Sequence, residues 1–557
     1  NAKQNPKKIA LIIDKLKISN QKLLEHVDRF AHFLIAKNIG PGDKVAMIVA
    51  NSSEFIISYF AISKIGAVIV PINTMLKADE FNYILNDCEA KLLICSAKFH
   101  KETGELYKST PVQNVIWIDE IKSYEENYFD FATILEEAHT SIVDHKGSSL
   151  DDVAVILYTS GTTGKPKGIV HSTGGYLVYI NSVFKWVFNL NDESVYWCTA
   201  DVGWITGHSF LLYAPLMQGA TIVMYEGAPD YPAVDRWWEI IEKYKVSTFY
   251  TAPTALRMFM RYGEEHIKKH DLSSLRVLGS VGEVINPEVW KWYHNHIGGW
   301  RCTVVDTWWQ TETGGFMMAP AAGLDHMPLK PGSVTHPLPG IDVEVVDQEG
   351  KEVARGEKGF LVIKRPWPGM LMGIHNDPVR YEEVYWSKFK DSYYSGDLVE
   401  KDEDGYFWLK GRADDTLKVA GHLVDTAEVE NAVVTTEGVV EAAVVGVSDD
   451  LKGAAIALFV VLKENVSAGD DVRTLIKQTV RKLVGPHTTP RDIYFLDKLP
   501  KTRSGKIMRR VLKALVQGLA VGDVSTIEDE SSIEEAKTVY DEFHSVIRNA
   551  KENIKTF

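Results

Sequence analysis

Cysteine is scarce in this chain, four among 557 residues. Cys88, Cys95, Cys198 and Cys302 form neither a CxxC pair nor a Cys/His zinc spacing, so no disulfide framework or structural metal is expected, and a reduced, cytoplasmic setting fits unpaired thiols. A positive surplus is missing too: 61 Lys and Arg stand against 75 Asp and Glu, a formal net charge of −14. That balance disfavours nonspecific attraction to nucleic acid or to anionic membranes, and a polyanionic substrate then requires a local basic pocket. No apolar run approaches the length of a membrane span, and Ala454 to Leu462, among the longer ones, reads as a buried strand. The first residues, Asn-Ala-Lys-Gln-Asn, carry no signal-peptide pattern, and no internal repeat is present. Neither a nucleic-acid partner nor membrane insertion is expected.

What is there is an ordinary globular balance, 45% hydrophobic and 24% charged, in a chain too long for one core. At least two domains are expected, one large and one small. In the first third, apolar runs at Val45 to Ala50, Ala67 to Pro71, Lys91 to Cys95 and Asn114 to Ile118 read as strands, and Glu54 to Ile65 has helical spacing between two of them. This is a βαβ pattern and predicts parallel sheets. Alternating residues from Gly340 to Lys364 predict antiparallel strands. A polar break at Ala413-Asp414-Asp415 marks a boundary, followed by a compact α/β unit: a helix at Thr426 to Val434, strands at Val439 to Val447 and Ala454 to Leu462, and a helix at Asp471 to Leu483. The expected division is 1–413, 414–523 and a polar tail, 524–557, helical from Ser532 where Ser-x-x-Glu can cap it.

The apolar run Asp151 to Tyr158 leads into Thr-Ser-Gly-Thr-Thr-Gly-Lys-Pro-Lys-Gly, too rich in Gly and Pro for helix or central strand, and a loop is expected. Its amides, its hydroxyls and the charges of Lys165 and Lys167 suit a phosphate chain. It is not a Walker A loop, because Pro166 follows Lys165 where Ser or Thr is needed. By itself such a stretch fits a surface loop as well as a phosphate cradle.

Taken whole, Tyr158 to Gly168 resembles the phosphate-loop signature of the adenylate-forming superfamily, which includes acyl-CoA synthetases, luciferases and peptide-synthetase adenylation domains. Four further motifs stand in that family's order. The resemblance implies a large N-terminal domain of parallel sheets with a small antiparallel region, and a small, mobile α+β C-terminal domain. It also implies ATP, Mg²⁺ and coenzyme A. Thr159, Ser160, Gly161, Thr162, Thr163, Gly164, Lys165 and Lys167 would hold phosphates. Thr307-Trp-Trp-Gln-Thr-Glu-Thr-Gly314 implicates Thr311 at the α-phosphate and Glu312 as a magnesium ligand, with Asp306, Thr307, Trp308 and Gln310 in the nucleotide site. An acidic ligand suits a metal that offsets charge on departing pyrophosphate. Tyr394-Ser-Gly-Asp397 supplies the ribose-binding Asp397, a bidentate acceptor, and Arg412 joins it. Gly282, Glu283 and Val284 match the adenine site, where Val284 replaces the usual Pro.

Pro500-Lys-Thr-Arg-Ser-Gly-Lys506 resembles the signature ending in the catalytic lysine, which would bridge carboxylate and α-phosphate in the transition state. The central block is most similar to AMP-forming acetyl-CoA synthetases, and that resemblance assigns the acid pocket to Ile205, Thr206, Val281 and Trp309. An indole there floors the pocket against longer acids. Ala420, Gly421 and Arg481 would meet CoA, and Asp414 would be the hinge. The resemblance leaves room for a homo-oligomer, and for a protein acetyltransferase and deacetylase acting on Lys506, whose charge acetylation removes.

Two departures stand out. Leu423 occupies a position where the pattern has an arginine near the outer phosphates, and leucine neither donates a hydrogen bond nor carries charge. Pro71 to Glu80 looks more like general fatty or aromatic acyl-CoA synthetases. A larger, branched or cyclic acid is therefore the alternative substrate. A noncatalytic nucleotide-binding protein of this fold is the alternative of another class, opposed by the joint presence of Glu312, Asp397, Arg412 and Lys506.

Overall fold

Lys44–Ile48 and Val68–Pro71 lie parallel and are joined by the helix Ser53–Lys64, the βαβ unit that the periodicity predicts. Ser52 starts that helix by accepting the Phe55 N–H through Oγ at 3.2 Å, and Gly66, at φ +74°, turns the chain just past its end. The computed structural model describes all residues except 100–108, 120–127, 140, 144–148, 162–163, 326, 414–416, 420–421, 425, 450–452, 464–465, 503–506, 523, 525–526, 528 and 556–557.

Among the described residues these strands belong to an eight-stranded sheet in the order Gly373–Ile374, Gly164–Ser172, Val153–Gly161, Val68–Pro71, Lys44–Ile48, Leu92–Cys95, Asn114–Trp117, Tyr128–Asp130. A seven-stranded sheet runs Thr303–Asp306, Val277–Ser280, Thr248–Thr251, Val195–Cys198, Thr221–Met224, Ile9–Ile13, Leu16–Ser19, parallel except at its last pair. The helices Asn20–Ala36, Ser53–Lys64 and Thr173–Phe188 contribute to one apolar core with residues of both sheets, including Val45, Ile69, Tyr196 and Ile222. Strands buried on both faces explain the near-continuous apolar runs such as Leu92–Cys95.

The Gly/Pro-rich stretch departs from the loop that its composition predicts. Val153–Gly161 and Gly164–Ser172 pair antiparallel as a hairpin, with Thr159 opposite Lys167 and Gly161 opposite Gly164. Only residues 162–163 separate the strands. Pro166 is tolerated because the outer neighbour, Gly373–Ile374, meets this strand at Ile169 and Val170, so the Pro166 end has an open edge that needs no N–H.

Val343–Val346, Lys358–Ile363, Tyr393–Lys401 and Phe407–Arg412 form the expected antiparallel sheet. Beyond it, Val439–Asp449, Gly453–Leu462 and Asp492–Leu496 form a small mixed sheet. The helices Thr426–Val434 and Asp470–Leu483 pack on one face through Val429, Val433, Ile476 and Val480. The other face is covered by Leu512 and Val516 of Arg509–Val516 and by Ala536, Val539 and Phe543 of Ser531–Lys555. That last helix begins one residue earlier than expected, and the Asp529 carboxylate accepts the Ser531 N–H at 2.9 Å.

Candidate active site

The parallel strands Val277–Ser280 and Thr303–Asp306 end side by side, and the turns leaving their C-terminal ends carry Gly282 to Val284 and Thr307 to Gln310. Ligand sites of open α/β sheets form in this position. Both turns line a cavity of ≈ 340 Å³ that is closed on its far side by Ala427, Asn431 and Ala442 of the C-terminal unit. Asp397 and Arg412 line it as well.

Antiparallel pairing places Asp397 opposite Arg412, and the guanidinium Nη1 lies 3.4 Å from Asp397 Oδ1 and 3.0 Å from the Ser395 carbonyl. Gln310 Nε2 donates to Asp397 Oδ2 at 2.8 Å and to the Ser395 carbonyl at 2.7 Å. Between them Gly396 sits at φ +77°, and a Cβ there would stand 2.4 Å from Arg412 Nη2. Glycine is required here by conformation, and a Cβ would also push the free end of the Arg412 side chain aside.

Thr311–Thr313 forms a single tight helical turn that presents Glu312. Lys167 Nζ donates to Glu312 Oε1 at 2.9 Å, and Tyr385 OH donates to the same oxygen at 2.6 Å. Burial alone would push the Glu312 carboxyl up; the ammonium and the phenol outweigh it and hold it below the usual carboxylate range. His171, four residues along the hairpin strand from Lys167, is pushed down to about 4 by burial, and because a carbonyl can only accept, its Nε2–H donates to the Thr311 carbonyl at 2.7 Å. Thr159 Oγ1, across the hairpin from Lys167, is buried with no hydrogen-bond partner among the described residues. An orphaned hydroxyl, an ammonium and a carboxylate, carried by the hairpin and by the turn that follows the cavity-lining Gln310, fit a magnesium-bound phosphate chain, because Mg²⁺ takes few carboxylates and is otherwise held by phosphates and water.

Ile205 and Val281 are buried in the same apolar cluster against which Trp309 packs. Thr206 precedes the helical segment Gly207–Tyr213, whose Phe210 meets the Trp309 ring edge-on at 4.9 Å between centroids. Phe316 lies 5.8 Å from the same indole. Trp309 also lines the cleft cavity, so this aromatic group stands where the cavity meets the apolar core.

The remaining predicted residues are not brought together here. Arg481 is exposed near the end of Asp470–Leu483 and does not line the cavity. Ser160, Gly161, Gly164 and Lys165 are described in backbone only, as parts of the hairpin. Thr162, Thr163, Asp414, Ala420, Gly421 and Lys506 lie outside the described residues.

Sequence reading missed three participants. Tyr385 and His171 have no motif around them. Arg257, on the helix Pro253–Tyr262, donates to both oxygens of Glu283 at 2.9 and 3.0 Å and reaches Glu441 of the C-terminal unit at 3.3 Å. Glu441 also accepts Lys501 Nζ at 2.7 Å; burial pushes its carboxyl up, but the two cations hold it low. Asn286 Nδ2 donates to Asn431 Oδ1 at 2.8 Å nearby, a second polar link between the two units.

Fold and cleft together define a two-lobed α/β enzyme with a nucleotide-sized cavity between its lobes, within the roughly 300–1,000 Å³ of small-molecule sites. The chain belongs to the AMP-binding enzyme family, whose model matches residues 1–375, while that of the AMP-binding enzyme C-terminal domain matches residues 428–506. It is 45% identical over 547 residues to the acetyl-coenzyme A synthetase of Pyrobaculum aerophilum, covering 95% of this chain and 82% of that one. It is 46% identical over 535 residues to that of Rubrobacter xylanophilus, covering 93% and 83%. Among solved structures it is similar to an anthranilate CoA ligase in complex with anthranoyl-AMP, with a TM-score of 0.83 at 28% identity over 91% of this chain and 93% of that one. The acetoacetyl-CoA synthetase of Streptomyces lividans shares the fold, with a TM-score of 0.86 at 23% identity over 96% and 84%.

Proposed function

We propose that the chain is an AMP-forming acyl-CoA synthetase acting on a short carboxylate, with acetate favoured. The observation that carries this reading is the common cleft: Asp397, Arg412 and Trp309 line it, and the chain leads from its lining residue Gln310 straight into the turn whose Glu312 pairs with Lys167. Relatives bearing the acetyl-coenzyme A synthetase name, aligned over nearly the whole chain, support it.

In the first half-reaction a carboxylate oxygen attacks the α-phosphorus of ATP. The bond to the β-phosphate breaks, and acyl-adenylate and pyrophosphate form. Asp397 takes the ribose hydroxyls, Gly282 to Val284 flank the adenine, and Lys167 and the hairpin tip neutralise the phosphates. Glu312 would hold a magnesium ion, which when bound would supply charge neutralisation for the departing pyrophosphate. Lys506 draws the two anions together. In the second half-reaction the CoA thiol, losing its proton to solvent, attacks the acyl carbonyl; a C–S bond forms, the bond from the acyl carbon to the bridging oxygen breaks, and AMP leaves with that oxygen of the former carboxylate. We place the hinge at Asp414, between 1–413 and 414–523, with 524–557 as a tail, and CoA beside Ala420, Gly421 and Arg481. The setting is cytoplasmic. Among the described residues no helix is long and apolar enough to cross a membrane.

Label exchange between pyrophosphate and ATP across a panel of acids tests the substrate. Robust exchange with acetate is expected; exchange with benzoate or hexanoate and none with acetate would move the assignment to a larger acid. Lys506→Ala should abolish adenylation, and undiminished exchange in that variant would overturn the mechanism.

A further inference from the structure

Tyr385 closes the helix Pro378–Tyr385, whose start is fixed by Pro378 and by the Asp377 carboxylate accepting the Arg380 N–H at 3.0 Å. Its side chain is 4% exposed, yet its oxygen has two charged partners. It accepts from Lys167 Nζ at 2.7 Å and donates to Glu312 Oε1 at 2.6 Å. The ring stacks on Tyr393 at 5.4 Å and 12°. Tyr393 OH in turn donates to Gln310 Oε1 at 3.0 Å, and Gln310 donates to Asp397. A pair of stacked tyrosines therefore joins the carboxylate at the phosphate end of the cleft to the carboxylate at its ribose end.

We propose that Tyr385 is a positioning residue for the metal-phosphate end of the nucleotide. This rests on the adenylation reading above. Without nucleotide, Lys167 and Tyr385 share Glu312 Oε1. When the ammonium turns to the phosphates, the phenol remains on that oxygen and keeps the carboxylate aimed into the cleft. A buried carboxylate left with no donor would otherwise lose a charge-assisted hydrogen bond and reorient. Hydrogen-bond partners of metal-binding carboxylates act in this way, and their removal weakens metal affinity by about 10- to 100-fold. Tyr385→Phe removes one oxygen and leaves the ring and its stack on Tyr393 in place.

The experiment compares ATP binding with excess Mg²⁺ and with EDTA, by calorimetry on the full chain without acid or CoA. In wild type the ratio of the two affinities reports the metal contact. Tyr385→Phe is expected to lower that ratio by about 10- to 100-fold and to raise the Mg²⁺ concentration that half-saturates pyrophosphate exchange, with kcat recovering at high Mg²⁺. Tyr393→Phe, which keeps both contacts to Glu312 Oε1, is expected to weaken both forms of ATP alike and leave the ratio unchanged. A wild-type ratio in Tyr385→Phe, or a fall in kcat that no Mg²⁺ restores, overturns the proposal and leaves adenylation standing. Wild-type protein that binds neither form of ATP overturns the adenylation reading itself.

Discussion

Arg257 and Glu441, 184 positions apart, meet at 3.3 Å across the seam between the two lobes, and both side chains are largely withdrawn from water. Each has a second counter-charge, Glu283 on Arg257 and Lys501 on Glu441, so removing one partner takes away charge-assisted hydrogen bonds without stripping the other of all compensation. Glu441→Ala is expected to lower stability by about 1.5–3 kcal/mol, read as a shift of the urea midpoint. Adding Arg257→Ala should cost less than it does alone, because the two changes share one interaction. Strict additivity would mean that the pair contributes nothing across the seam.

Gly396→Ala introduces a Cβ at φ +77° into the space of the Arg412 guanidinium. The strain of a non-glycine residue there is about 1–3 kcal/mol, and the guanidinium must leave Asp397 to make room. KM for ATP in pyrophosphate exchange should rise on the order of tenfold or more, as 1.4 kcal/mol is a factor of ten, with a smaller effect on KM for the acid. An unchanged KM for ATP would argue against a ribose role for this pair.

Trp309→Ala opens space beside Phe210 and Phe316. Acetate kcat/KM should fall and hexanoate should become a substrate in the exchange panel. Cavity formation should cost at most about 3–5 kcal/mol, since the indole is half-buried. Unaltered chain-length preference in a folded variant would place the acid elsewhere.

Burial pushes the Asp306 carboxyl up to about 7. In the unfolded chain it ionises near pH 4, so the folded state binds the extra proton between those values and loses this advantage as pH rises. Asp306→Asn should therefore gain in melting temperature over wild type as pH rises from about 4 to about 7, with no further gain above. A difference that is flat with pH would show the carboxyl to be ordinary.

Leu423→Arg adds a cation to the strand His422–Val424, which pairs with Leu417–Val419. KM for ATP and for pyrophosphate should fall relative to the native chain. Unchanged constants in both directions would sink the idea that leucine here loosens the outer phosphates.

The parallel sheets, the antiparallel sheet and the C-terminal unit were legible because each rests on local periodicity, as in Val68–Pro71 or Asp470–Leu483. The cavity-lining residues Gly282 to Val284, Asp306 to Gln310, Asp397 and Arg412 were legible because they stand in contiguous motifs. The strand Gly164–Ser172 was not: β structure depends on the neighbours a segment finds, and Gly164 and Pro166 gain theirs only from Val153–Gly161. Tyr385 and Arg257 were hidden for the same reason. A tyrosine ending a short helix and an arginine on an amphipathic one carry no signal until folding brings Lys167 or Glu441 to them.

The described apolar clusters of the C-terminal unit contain residues of that unit alone, since Ser531–Lys555 covers the sheet face that Thr426–Val434 and Asp470–Leu483 leave open. Across the seam the links among the described residues include Arg257 to Glu441, Asn286 to Asn431, Lys358 to Glu428 and Lys77 to Glu530, all polar. Rotating the lobe would therefore rehydrate ions and amides while uncovering little oil-like surface. Its resting position should respond to ionic strength, and its integrity should not.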